Sequence, residues 1–166
     1  MSELTNFLSL FWSRYSRLGL TTALTLASID QLHKWWMLNV LDITSSTTIQ
    51  VFPFLNLVYV SNKGISFGML QQDDTGQLLL VFFYVIICLV LMVWLAQAGQ
   101  SSIMAVAIGL IIGGAIGNAI DRLHLGGVAD FFDFHALGYH WPAFNIADIA
   151  IVLGCVILMF NSFTAD

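Results

Sequence analysis

Polar and charged side chains cluster at the ends of apolar segments in the second half of this sequence. Asn118, Asp121 and Arg122 close one apolar, glycine-rich segment, and Asn145 and Asp148 open the next one. Residues three or four positions apart lie on the same face of a helix, so each group would present its polar side chains together. Ionisable side chains are costly in a bilayer, and by default they mark a functional site there.

The aspartates are the groups with the clearest chemistry, and Asp130 and Asp133 lie in the connection between these two segments. Two aspartates in close contact cannot both ionise, so one keeps a proton while the other stays charged. The charged carboxylate can take a proton from a water molecule, and the protonated one can polarise a carbonyl group. Such a pair is sufficient for hydrolysis, and it titrates as a unit.

Other catalytic chemistries have less support in the sequence. Ser66 and His33 belong to no recognisable triad, so a serine nucleophile with a histidine base is not expected. His124, His135 and His140 could bind a metal, but their spacings of eleven and five residues match no metalloprotease motif. We therefore expect neither a metal nor another cofactor.

The composition is that of an integral membrane protein. The 166 residues are 58% hydrophobic and only 9% charged, whereas soluble domains contain about 25% charged residues. The net charge is -5 and the five Lys and Arg residues form no basic patch, so nucleic acid is not an expected partner. Cys88 and Cys155 lie in separate apolar segments, which favours buried thiols over a disulfide.

Four apolar segments have roughly the 20 residues that are needed to cross a bilayer. We expect one domain, residues 1–166, with spans at about 18–38, 78–96, 103–120 and 143–163. The first segment could be a signal peptide, but three more apolar segments follow and no convincing cleavage site precedes Asp30. We interpret it as an uncleaved span. Glycines repeat every four residues in the third span, which indicates close helix packing: Gly109, Gly113 and Gly117.

Two regions connect the spans on one side of the membrane. Residues 39–77 contain the β-branched and aromatic runs TTIQVF, LNLVYVS and ISFGML, which predict short strands in a small sheet on the membrane surface. Residues 123–142 are predicted to form a loop, in which Gly126 and Gly127 let the backbone turn back toward the helix ends.

Four spans would bring polar residues from several helices to the same face of the membrane. Asp30 and Lys34 are four residues apart at the end of the first span, so they can form an ion pair there. Structural polar contacts in a membrane subunit are one alternative to a catalytic site. A proton-coupled transporter is another, although transporters usually carry polar groups on both sides of the midplane and often an inverted repeat.

Five sequence motifs resemble a known family. In chain order they are DQLHK (30–34), NKGISFGML (62–70), GNAIDR (117–122), GVADFFDF (127–134) and FNIAD (144–148). Together they resemble the motifs of lipoprotein signal peptidase (signal peptidase II), a bacterial family of intramembrane aspartyl peptidases. The resemblance covers nearly the whole chain and includes the order of the motifs.

The resemblance implies a fold, an activity and a set of site residues. The fold is an α-helical membrane protein with four transmembrane helices and a small extracytoplasmic β-cradle between the first and second. The activity is removal of signal peptides from prolipoproteins before the lipid-modified cysteine. Asp130 and Asp148 match the catalytic aspartates. The residues matched to substrate binding or site architecture are Asp30, Lys34, Asn62, Gly64, Asn118, Asp121, Arg122 and Asn145.

The same resemblance implies partners and a location. The substrates are diacylglyceryl-modified prolipoproteins, the surroundings are membrane lipids, and a monomer is expected. The protein would cross the bacterial cytoplasmic (inner) membrane several times, with cytoplasmic termini and a site near the extracytoplasmic face. His33, Ile65, Ser66 and Ala129 depart from common family residues, but none of these changes removes a carboxylate, amide or guanidinium group from the site.

Overall fold

The computed structural model describes residues 14–64, 74–97 and 101–164. The described helices are Arg14–Asn39 (α1), Asp74–Gln97 (α2), Ser102–Leu125 (α3) and Ile146–Thr164 (α4). The described strands are Ile49–Phe52 (β1), Leu55–Asn62 (β2), Val128–Ala136 (β3) and Tyr139–His140 (β4). The helices form a bundle, and the strands form one antiparallel sheet in the order β1-β2-β3-β4.

Helix α3 lies at the centre of the bundle and contacts the other three helices. Its glycines let neighbouring backbones approach, because a Cβ atom at Gly113 would lie 2.7 Å from the carbonyl oxygen of Ala23 on α1. A Cβ atom at Gly114 would lie 2.5 Å from the carbonyl oxygen of Ala147 on α4. Gly109, the first glycine of the predicted repeat, likewise faces the backbone of α1, so Gly109 and Gly113 serve the predicted close packing of α3 on α1.

Local signals set the limits of α3. The Ser101 hydroxyl caps its first turn by accepting a hydrogen bond from the Met104 N–H at 3.4 Å. Gly126 ends the helix in the left-handed conformation, with φ of 69°, which glycine adopts without steric cost. The helix therefore continues five residues beyond the predicted limit at residue 120, since a polar face does not interrupt helical backbone bonding.

Three helical segments within the described ranges are long and apolar enough to cross a membrane. They are Asp74–Ala96, Ser102–Leu125 and Ile146–Phe163. Helix α1 is not among them, because it carries Arg17, Asp30 and Lys34 together with several hydroxyl and amide side chains. The structure thus confirms a helical, membrane-like protein with a small antiparallel sheet.

The sheet corrects the prediction that residues 123–142 form a loop. Strand β3 pairs with β2 in a register that joins Asp130 to Val60 and Val128 to Asn62. The segment VADFFDFHA has the β-branched and aromatic residues of a strand, but its partner lies nearly 70 residues earlier. Such a distant pairing leaves no local sequence signal. The predicted strand ISFGML lies outside the described residues.

The alternation of strand β3 separates Asp130 from the apolar residues on either side of it. Ala129 and Phe131 pack in a buried cluster with Met37 of α1 and with Ile43. Neighbouring residues of a strand point to opposite faces, so Asp130 points away from this cluster. The sheet is thereby fixed against the end of α1, with one carboxyl group directed toward the helices.

Candidate active site

The ten residues singled out from the sequence lie in one connected network of hydrogen bonds and ion pairs. They come from α1, β2, β3, α3 and α4 and from the residues next to these elements. The members are Asp30, Lys34, Asn62, Gly64, Asn118, Asp121, Arg122, Asp130, Asn145 and Asp148. The network lies where α1 and α3 end and α4 begins.

Asp148 is held by the start of helix α4. The Asn145 side-chain oxygen accepts a hydrogen bond from the Asp148 N–H at 3.0 Å, and the Asp148 carboxylate accepts one from the Asn145 N–H at 3.2 Å. This reciprocal arrangement is a capping box, which satisfies two backbone donors that a helix start leaves free. The second carboxylate oxygen accepts a hydrogen bond from the Asn118 amide at 2.9 Å.

Asp130 is held by amides from two other elements. Its carboxyl oxygens accept hydrogen bonds from the side-chain amide of Asn145 at 2.7 Å and from that of Asn62 at 3.2 Å. Asp130 is only 1% exposed. Burial, together with the negative charge of Asp148, raises the pKa of Asp130 from 3.8 to about 7.

Two asparagines connect the two aspartates. The Asn145 amide donates to Asp130 and also lies 3.2 Å from the side-chain oxygen of Asn118, whose own amide donates to Asp148. The aspartates therefore share one amide framework at the mouth of the bundle. Two carboxyl groups that interact in this way can share a proton, activate a water molecule and polarise a carbonyl group.

A buried ion-pair group lies next to this framework. The Lys34 ammonium is 2.8 Å from Asp30 and 2.7 Å from Asp121. Gln31, which the sequence analysis missed, donates from its amide to Asp121 at 2.9 Å. Gln31 lies three residues before Lys34 and so shares its helix face, which is the signal that could have identified it.

Arg122 connects α3 to the end of strand β2. Its guanidinium donates to the carbonyl oxygen of Gly64 at 2.8 Å and to that of Asn62 at 3.4 Å. It also lies over the ring of Tyr84, 5.6 Å from the ring centroid. The sequence analysis missed Tyr84, although a phenol in an otherwise apolar helix is a recognisable signal.

The histidines considered for metal binding do not join this network in the part of the chain that the structure describes. His140 contacts both carboxylate oxygens of Asp133, at 2.8 and 2.9 Å, and stacks on His135. Asn56 donates to the same carboxylate at 3.1 Å. Across the described ranges, no group of three His, Cys, Asp or Glu residues could hold a metal ion.

Comparison with known proteins gives a consistent result. A family model described as Signal peptidase (SPase) II matches residues 22–164. A lipoprotein signal peptidase of Beijerinckia indica is 40% identical over 149 residues, which cover 89% of this chain and 88% of the relative. A lipoprotein signal peptidase of Rhodopseudomonas palustris is 42% identical over 151 residues, with 88% and 92% coverage.

Solved structures share the same fold. One, described as a bacterial membrane enzyme determined by the in meso method at 2.3 Å, gives a TM-score of 0.78 at 30% identity and covers 87% of both chains. Another with the same description at 1.9 Å gives a TM-score of 0.75 at 29% identity and covers 89% of this chain and 94% of that one.

Apolar helices with buried carboxyl groups at one end of the bundle occur here in a fold that is shared with solved bacterial membrane enzymes. The family match over most of the chain, together with relatives at about 40% identity, identifies the family of this chain. The chain belongs to the signal peptidase II family, and it is a peptidase.

Proposed function

We propose that this protein removes signal peptides from prolipoproteins, with Asp130 and Asp148 as its catalytic pair. The observation that carries the proposal is the shared amide framework, in which Asn145 and Asn118 join the two carboxyl groups at the mouth of the bundle. Membership of the signal peptidase II family supplies the substrate class. Cleavage falls before the diacylglyceryl-modified cysteine, as the family resemblance implies.

The environments of the two carboxyl groups suggest which one carries the proton. Asp148 lies in the first turn of α4, where the helix dipole favours a negative charge. Asp130 is fully buried on a strand, and its pKa is raised to about 7. Asp148 is accordingly the ionised base, and Asp130 the proton donor.

The reaction follows from this assignment. Asp148 takes a proton from a water molecule, whose oxygen attacks the scissile carbonyl carbon while Asp130 protonates the carbonyl oxygen. When the carbon–nitrogen bond breaks, the leaving amine takes the proton from Asp148, and the hydroxyl proton returns to Asp130. The two aspartates then hold one proton again, as they did at the start.

The remaining network residues are proposed to orient the pair or the substrate. Asn62, Asn118 and Asn145 donate to the carboxyl groups and fix their directions. Arg122 holds the carbonyl oxygens of Asn62 and Gly64, so it places the end of β2 beside the aspartates. This edge of the site is where an extended substrate segment would lie.

The proposed membrane arrangement has four spans in a single domain, residues 1–166. Helix α1, the first in the chain, is proposed to span the membrane in addition to the three apolar helices. Helix α1 has 26 residues, which corresponds to about 39 Å and exceeds the roughly 30 Å hydrocarbon core. Trp35 and Trp36 are exposed near its end, as expected at an interface. The sheet and the site face outward from the inner membrane, the termini are cytoplasmic, and the protein acts as a monomer among membrane lipids.

Peptide release by the purified protein tests the proposal. We expect cleavage of a diacylglyceryl-modified prolipoprotein in detergent or lipid, and no cleavage of the same precursor without the lipid. Failure to release the peptide, with the protein folded, would contradict the proposal. The rival interpretations, a proton-coupled transporter and a structural subunit, both predict no release.

A further inference from the structure

The ion-pair group of Asp30, Lys34 and Asp121 is buried beside the proposed catalytic pair. Lys34 is 3% exposed, Asp30 is 0% exposed and Asp121 is 2% exposed. Two carboxylates on one ammonium leave a net charge of about -1 away from water. Buried charges are costly unless paired and hydrogen-bonded, so each remaining carboxylate oxygen needs a donor.

Asp121 has donors on both of its carboxylate oxygens. Its Oδ1 atom accepts a hydrogen bond from Gln31. Its Oδ2 atom, which pairs with Lys34, also accepts one from the Ala129 N–H of strand β3 at 3.1 Å. Ala129 is 1% exposed, so water cannot replace this acceptor. Ala129 directly precedes Asp130, and this bond fixes the backbone from which the Asp130 side chain leaves.

Asp30 finds its second donor at the start of helix α4. Its Oδ1 atom accepts a hydrogen bond from the Ala147 N–H at 3.0 Å. Ala147 is 0% exposed and its N–H is one of the donors that a helix start leaves free. Ala147 directly precedes Asp148, so each of the two carboxylates in the group binds the backbone of the residue before one of the proposed catalytic aspartates.

We propose that Asp30 and Asp121, joined by Lys34, are positioning residues that set the separation of the Asp130 and Asp148 carboxyl groups through the backbone. The inference rests on the proposed function of the two aspartates. Because Lys34 is within 2.8 Å of Asp30 and 2.7 Å of Asp121, the start of α4 and the strand β3 are tied to one cation. A change at either carboxylate would let the catalytic pair separate.

The surrounding contacts make this group rigid. Gln31 donates to Asp121 at 2.9 Å and lies 3.2 Å from the carbonyl oxygen of Gly117. A Cβ atom at position 117 would lie 2.5 Å from Asp30 Oδ2, so only glycine allows Asp30 to approach α3 this closely. The distance between the two proposed catalytic carboxyl groups is therefore set by residues other than the two aspartates themselves.

The test compares Asp30→Asn and Asp121→Asn with Asp133→Asn as a matched control. Each single change in the ion-pair group leaves Lys34 one carboxylate partner, which protects folding. Asp133, on β3, undergoes the same chemical change at a less buried position, 8% exposed, and its bonds go to Asn56 and His140. The measurements are kcat per folded molecule, KM and the pH profile of kcat/KM with a lipidated precursor.

We expect Asp30→Asn and Asp121→Asn to lower kcat by about 10- to 100-fold, with KM within about threefold of the wild type. The two apparent pKa values of the bell-shaped profile should move closer together, because separated carboxyl groups interact less. The Asp133→Asn control should keep the wild-type profile. A rise in KM at unchanged kcat would overturn the inference, because the residues would then bind substrate.

Two further outcomes decide the remaining cases. Variants of Asp30 and Asp121 that match Asp133→Asn in kcat and pH profile would also overturn it. If the Asp30→Asn and Asp121→Asn variants both fail to fold, the Gln31→Met variant tests the inference instead. This change removes a hydrogen bond to Asp121 without removing a charge. A fall in kcat of about threefold with a narrower profile supports the inference, and an unchanged enzyme overturns it.

The same assay separates this inference from the proposed function. If the wild type releases peptide and Asp130→Asn does not, the proposed function holds. The positioning role then stands or falls on the Asp30 and Asp121 variants alone. Absence of release by the wild type would instead contradict the function itself.

Discussion

Asp130 combines two opposing requirements in one side chain. Its burial disfavours a charge, while two amide donors favour one, and the nearby Asp148 charge adds to the effect of burial. The outcome is a pKa of about 7, at which a carboxyl group can both hold and release a proton near neutral pH. The proposed catalytic role of this residue therefore comes with a cost in stability.

The pH dependence of stability follows from this pKa. The pKa of Asp130 is about 7 in the folded protein and 3.8 ordinarily, so the folded state binds the proton more tightly. The contribution of Asp130 to folding stability therefore falls as pH rises from about 4 to about 7, and is constant above that. The amide side chain of the Asp130→Asn variant does not ionise, so position 130 then adds no pH dependence to the folding stability. Any loss of stability from its altered hydrogen bonds is the same at every pH.

We expect the melting temperature of Asp130→Asn, relative to the wild type, to rise by about 10 °C between pH 4 and pH 8. Thermal unfolding in detergent at several pH values measures this difference. A difference that stays constant across that range would contradict the raised pKa.

At the scale of the elements, close helix contacts and strand pairing bring the site together. Hydropathy and helix spacing were sufficient to predict that polar residues of separate helices converge, because helical periodicity is local. The pairing of β3 with β2 could not be predicted from the pattern, and this pairing determines the direction of Asp130. The backbone donors of Ala129 and Ala147 carry no sequence signature at all.

Variants at two glycines of α3 distinguish the effect of helix packing from the effect of the position of Asp30. Both glycines face α1, but an added Cβ atom would meet the backbone of Ala23 at Gly113 and the carboxylate of Asp30 at Gly117. We expect both Gly113→Ala and Gly117→Ala to lower stability by about 1–3 kcal/mol, because each overpacks a close contact.

Only Gly117→Ala should also lower kcat per folded molecule, by about tenfold, because it displaces Asp30. Thermal unfolding and turnover measured on the same preparations test both expectations. Equal loss of kcat in the two variants would show that helix separation, rather than the position of Asp30, controls activity.

At the scale of the whole molecule, the site lies at one end of the bundle. The ends of α1 and α3, the start of α4 and the sheet meet there. The outward surfaces of α2 and α4 carry exposed apolar side chains such as Leu79, Phe82 and Phe160, which suit contact with lipid. The composition alone was sufficient to predict this class of protein, whereas the membrane orientation rests on the proposed arrangement.

Reporter fusions test that orientation. Truncation after Thr75 should place a reporter outside the cytoplasmic membrane, and truncation after Ser101 should place it in the cytoplasm, because all but the first two residues of α2 lie between these positions. Alkaline phosphatase and a cytoplasm-active reporter at each site give complementary readings. A cytoplasmic reporter after Thr75 would overturn the proposed topology.

Peptide release by variants of the aspartate pair tests the central claim most directly. An amide cannot serve as the ionised base or the proton donor, so Asp130→Asn and Asp148→Asn should each lower kcat by at least about 100-fold. The double variant should be scarcely slower than either single one, because the residues act as a unit. Asp133→Asn, on the same strand, should stay within about threefold of the wild type. Substantial release by either single variant, or an inactive Asp133→Asn beside an active Asp130→Asn, would contradict the account.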